Sequence, residues 1–98
     1  MAPRNRITVF MIHLHLAGLP DTPPQPSDAH AVHDLMWAHA TPQHHLEHVR
    51  ARAVPGGIGL VLFIGAPEAD EAVARADDLM VTVKNSGVIS RYRISPGI

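Results

Sequence analysis

The sequence predicts an α+β domain: a four-stranded antiparallel sheet carrying two helices on one face, in the order β-α-β-β-α-β. Three observations predict it. Residues 28–41 and 69–83 repeat apolar side chains at three-to-four spacing, as a helix burying one side must. Four further segments have strand character, two of them apolar on both parities and two alternating apolar residues with arginine. Proline and glycine mark the breaks between them.

Residues 6–17 are a β-branched and aromatic run, long enough for one extended strand. Residues 18–26 (GLPDTPPQP) hold four prolines in nine positions and must be a loop. Ser27 is placed to cap the next helix, with Asp28 well sited in its first turn. Over 28–41, Ala29, Val32, Leu35, Met36, His39 and Ala40 share one face, while His30, His33, Asp34, Trp37 and Thr41 share the other; Pro42 stops the helix. Residues 46–54 alternate, with Val49, Ala51 and Ala53 opposite His48, Arg50 and Arg52, and Pro55-Gly56-Gly57 reverses the chain. Residues 58–64 (IGLVLFI) suit a central strand covered on both faces. Pro67 at the first helical position, followed by Glu68, Asp70 and Glu71, opens the second helix. Ala69, Ala72, Val73, Ala76, Leu79, Met80 and Val83 form its apolar side, Lys84 sits in its last turn, and Asn85 or Gly87 ends it. The final strand, 88–95, alternates again, with Arg91 and Arg93 on one parity.

The length of 98 residues makes this one domain, residues 1–98, with a single core, and 46% hydrophobic against 17% charged residues lets it fold. A formal net charge of −1 argues against a protein held on nucleic acid by overall charge. With no cysteine, disulfides, thiol catalysis and zinc fingers are excluded. Seven arginines to one lysine, with abundant Ala, Pro, Val and Gly, is the signature of GC-rich coding DNA, and some of the eight histidines follow from it. The start, Arg4-Asn5-Arg6 and then an apolar run, mimics a signal peptide, but His13 and His15 interrupt it and Ala17-Gly18-Leu19-Pro20 is a poor cleavage site. The run is too short to cross a bilayer as a helix, so the expectation is a cytoplasmic protein without a membrane partner.

The order and the both-parity character of the first and third strands resemble the ferredoxin-like fold, in which those strands are central and the second and fourth are edges. Arginines on the second and fourth segments are the expected protection of edges. The signatures of several families on this topology are missing: no Cys-x-x-Cys loop, no arginine in a glycine-rich first loop, and only Phe10 and Phe63 as strand aromatics, too few for stacking nucleic-acid bases. The pattern is similar to the dimeric α+β barrels, a resemblance that implies a homodimer through the open sheet faces.

Side chains alternate across a strand, so parity selects the open face. With Phe10, Ile12, Leu14 and Leu16 toward the helices, Val9, Met11, His13 and His15 face outward, joined by His48, Arg50 and Arg52, and by Arg91 and Arg93 if Tyr92 and Ile94 pack inward. The apolar floor is completed by either Val61 with Phe63 or Leu60 with Leu62. The expected function is a binding or assembly module without a cofactor, receiving an acidic small molecule or peptide on this rim, since arginine holds a carboxylate or phosphate through two hydrogen bonds. An alternative is an enzyme using His13 or His15 as general base. No metal is assigned, but His13 and His15, roughly 6.5–7 Å apart at Cα, could be joined by His48 as a third ligand if register allows. His44, His45 and His48 cluster in sequence, and His30 and His33 lie a helical turn apart. His39 reads as a core histidine bonded to a carbonyl, and Trp37 as a partner contact or lid, or as packing under the proline loop.

Overall fold

A computed structural model describes residues 6–97. The strands are β1 (Thr8–Gly18), β2 (Leu46–Val54), β3 (Gly57–Ala66) and β4 (Tyr92–Pro96), and the helices α1 (Asp28–His39) and α2 (Ala69–Val83). The sheet is antiparallel in the order β2-β3-β1-β4, with both helices on one face: the α+β ferredoxin-like fold. The two strands apolar on both parities are central, as expected. No helix among the described residues is long and apolar enough to cross a membrane.

The parity expected for β1 holds. Phe10, Ile12, Leu14 and Leu16 turn to the helices, with Leu16 fully buried, while Val9, Met11 and His13 are exposed. On β3 the inward set is Ile58, Leu60, Leu62 and Ile64, which leaves Val61 and Phe63 to the open face. Ala29, Val32 and Met36 of α1, and Ala72, Ala76, Leu79, Met80 and Val83 of α2, close the core. Val73 falls outside it and is exposed, because the contact stripe of α2 runs through positions 72, 76, 79, 80 and 83.

At the β2–β3 turn, Gly56 takes φ +79, a conformation glycine adopts without steric cost. A Cβ on Gly57 would come within 1.9 Å of the Leu16 carbonyl oxygen, so β1 approaches closer than any side chain permits.

Several local expectations are corrected. Ser27 makes no side-chain cap, its backbone being already helical. Pro67 does not take the first helical position: Glu68 is the N-cap and α2 begins at Ala69, so the proline lies two residues before the helix. Residues Gly87–Arg91 form a 3₁₀ helix, and the last strand begins only at Tyr92. With Gly87 at φ +47, the chain tightens there and the alternation read from 88 to 91 is not strand alternation.

Candidate functional site

The register assembles the open face row by row. Arg52, Gly59, His15 and Ser95 lie side by side across β2, β3, β1 and β4. In the next row Arg50, Val61 and His13 are aligned, and in the one beyond, His48, Phe63 and Met11. A side-chain-free position between Arg52 and His15 leaves a hollow. It has about 570 Å³ of space, and its walls include Arg50 and Arg52 on one side and His13, His15 and Ser95 on the other. No acidic side chain of the described residues lines it. Flanking strands stand about 4.8 Å to either side of β3, so a bound group would sit between arginine and histidine across roughly 10 Å.

Electrostatics sharpen the picture. Arg75 pairs with Glu71, and Arg91 with Asp28, but Arg50, Arg52 and Arg93 have no ion pair among the described residues. Arg93, opposite Ala17, reaches the open face because Tyr92 and Ile94 turn inward. Arg91 does not. It lies in the 3₁₀ segment and donates from Nη2 to Asp28 Oδ1 at 3.1 Å, at the start of α1. Tyr92 donates its hydroxyl to Asp28 Oδ2 at 2.6 Å. The Tyr92 hydrogen bond, together with the charge of Arg91, holds the Asp28 carboxyl below its ordinary range despite burial. Burial first, and the bond to the carboxylate second, push the Tyr92 phenol up. The first-turn aspartate is therefore the acceptor that ties β4 to α1.

The histidines separate. His48 lies on the open face, but two strands across and one row beyond His13, roughly 12 Å away at Cα. Its ring meets Phe63 edge-on, with centroids 5.2 Å apart. It does not complete a ligand set with His13 and His15, and no group of three metal-ligating side chains occurs among the described residues. His44 and His45 turn away from His48. His45 is left-handed at φ 49, and His44 is buried. The Thr41 backbone N–H donates to His44 Nδ1 at 3.0 Å, so Nε2 carries the hydrogen and donates to Asp78 Oδ2 at 2.9 Å. Thr41-x-x-His44 is a capping box with histidine in the usual place of glutamate, a spacing signal present in the sequence. His39 is only half-buried and makes no side-chain hydrogen bond among the described residues, so the buried histidine of this fold is His44.

Trp37 lies on the helical side of the molecule, away from the open face. It lines a groove with Ala40, Thr41, Pro42, His45, Leu46 and Glu47, not with the proline loop. His30 and His33 stack with centroids 6.3 Å apart, both against Asp34.

The far end of the open face is apolar: Ile7, Val9 and Met11 are about half exposed, at 45%, 50% and 51%. Comparison with family models, curated proteins and solved structures finds no match to this chain.

Proposed function

We propose that this protein is a small binding module that receives the carboxylate or phosphate of an acidic small molecule or peptide in the hollow over Gly59. The observation that carries the reading is the convergence of Arg50 and Arg52 from β2 with His13 and His15 from β1 on a glycine-floored depression that no acidic side chain of the described residues enters. Cations without a partner among the described residues favour an anion in such a setting, and the guanidinium fork supplies paired donors to one. Ser95 adds a hydroxyl at the end of the Arg52 row. Val61 and Met11 make the adjoining wall apolar, which suits a ligand with a hydrophobic body beside its acid.

In the dimeric α+β barrels two open faces pack together. Applied here, that pairing would set Arg50, Arg52 and Arg93 against their own copies unless an anion were enclosed between them. A single copy already presents the hollow, so the binding reading does not require that arrangement.

Citrate and inorganic phosphate, titrated into labelled protein and followed by amide resonances, test the proposal. Shifts should centre on residues 13, 15, 50, 52 and 59. Arg50→Ala with Arg52→Ala should weaken binding by about 1.5–3 kcal/mol for each charged hydrogen bond lost. Unchanged affinity in that double variant overturns the reading. His13→Gln with His15→Gln separates binding from catalysis: affinity largely kept supports a binder, whereas a turnover abolished by the pair supports the general-base alternative.

A further inference from the structure

We infer that this chain forms a symmetric dimer by pairing the free edge of β1 with the same edge of a second copy, centred on Val9. β4 has only five residues and pairs with β1 from Leu14 to Gly18, and the chain beyond it reaches back to His13, whose carbonyl accepts from Gly97 N–H at 2.8 Å. The rest of that edge, residues 7–11, has no neighbour among the described residues. Backbone groups alternate between the two sides of a strand. His13 faces β4, and so Val9 and Met11 direct their N–H and C=O groups to the same, uncovered side.

The other edges of this sheet are guarded. β2 carries His48, Arg50 and Arg52 and a register shift between Leu46 and His48, and β4 carries Arg93 and ends in Pro96. Charge, bulges and proline are the usual means of preventing edge pairing. The free half of β1 reads Ile7-Thr8-Val9-Phe10-Met11 and has none of them. It also holds three of the six large hydrophobic side chains that stand exposed among the described residues: Ile7, Val9 and Met11. All three have the same parity.

Register then selects the occupant. The paired stretch of an antiparallel copy must stop short of His13, where Gly97 sits. Centring the pair on Val9 sets Val9 against the partner's Val9, Ile7 against the partner's Met11, and Met11 against the partner's Ile7. Each of these is a hydrogen-bonded pair, giving roughly six backbone bonds. Every exposed apolar side chain of the edge thereby meets another across the axis. Moving the centre to Phe10 would instead drive the partner's Ile7 into Gly97. The contact is isologous and closes on itself, so it yields a dimer and not a filament, and of the residues lining the cationic hollow it engages Met11 alone.

The 98-residue chain, which has no cysteine, offers a direct test. Light scattering should find a dimer, and Val9→Lys, which sets like charges face to face, should shift it to monomer with an unchanged circular dichroism spectrum. Val9→Cys should cross-link to a covalent dimer under mild oxidation, since Cα atoms in such a pair lie about 5.5 Å apart, within disulfide range. Val61→Cys, in the middle of the open face, should not. A monomeric wild-type chain, a dimer that survives Val9→Lys, or cross-linking through Val61→Cys in preference to Val9→Cys would each overturn the inference. None of these readouts depends on an acid occupying the hollow.

Discussion

Asp28→Ala is expected to destabilise this protein by about 2–4 kcal/mol, although the residue does not line the candidate site. The carboxylate accepts hydrogen bonds from the Tyr92 hydroxyl at 2.6 Å and from Arg91 Nη2 at 3.1 Å. A hydrogen bond to a charged group contributes about 1.5–3 kcal/mol, and the buried Tyr92 hydroxyl left without its acceptor would carry that cost. The Arg91 side chain is 44% exposed, so its ion pair is screened and adds less than about 1 kcal/mol. At about 4–8 °C per kcal/mol for a domain of this size, melting should fall by about 8–32 °C. Asp28→Asn keeps an acceptor oxygen and should cost less. The pH dependence has a definite sign. Because the Asp28 carboxyl is held low in the folded state, its contribution is present above the ordinary carboxylate range and is lost as pH falls through the folded-state value. Because the Tyr92 phenol is pushed up, its contribution is present below the ordinary tyrosine range and is lost as pH rises through the folded-state value. Thermal melts followed by circular dichroism from acid to alkaline pH should therefore show a plateau with two falling limbs in the wild type, and a shallower acid limb in Asp28→Ala. A variant melting within a degree or two of wild type, or with an equally steep acid limb, would refute the reasoning.

Two other substitutions probe the frame. His44→Ala removes the acceptor for the Thr41 N–H and should cost about 1–3 kcal/mol, whereas Asp78→Ala, at a side chain 73% exposed, should cost less than about 1 kcal/mol; denaturant unfolding curves compare them. Gly57→Ala should cost about 3 kcal/mol or more, because its Cβ would strike the Leu16 carbonyl. Gly59→Ala meets only Val54 Cγ1 at 3.5 Å and Arg52 Cγ at 3.9 Å, so it should leave stability unchanged or raise it by about 0.5 kcal/mol, as matched melts would record.

What the sequence made legible was whatever depends on period. The two-residue period of β1 placed His13 and His15 outward, and that of β2 placed Arg50 and Arg52 with them, because a buried apolar set on one parity commits the other to the opposite face. The both-parity runs correctly marked β1 and β3 as central. What period does not encode is register and local chain tightening. His48 has the right parity to join His13, yet pairing with Phe63 sets it one row away. Arg91 shares its parity with Arg93, but the 3₁₀ segment that ends at Arg91 turns it toward Asp28. Asp28 itself looked like a dipole residue, since nothing local reveals a tyrosine sixty-four positions later. The capping role of His44 was written in Thr41-x-x-His44 and hidden by its histidine neighbours.

The outward side of β1 changes chemistry midway, and the change coincides with a change in its neighbours. Val9 and Met11 precede the stretch paired with β4, while His13 accepts from Gly97 and His15 pairs with Ser95. Polar side chains thus occupy the stretch walled on both sides, where a hollow can form, and apolar ones occupy the stretch whose backbone is open. Val9 and His15 are six residues apart along an extended strand, roughly 20 Å, beyond the distance at which substitutions usually couple. The two proposed surfaces meet at Met11, but Val9 lies outside the hollow, so substitutions at Val9 and at Arg50 with Arg52 should act independently. Val9→Lys should abolish pairing of copies without altering acid binding, and the Arg50→Ala, Arg52→Ala pair should do the reverse. Coupling between them would mean that both effects arise on one surface, as they would if the open faces packed together around the anion.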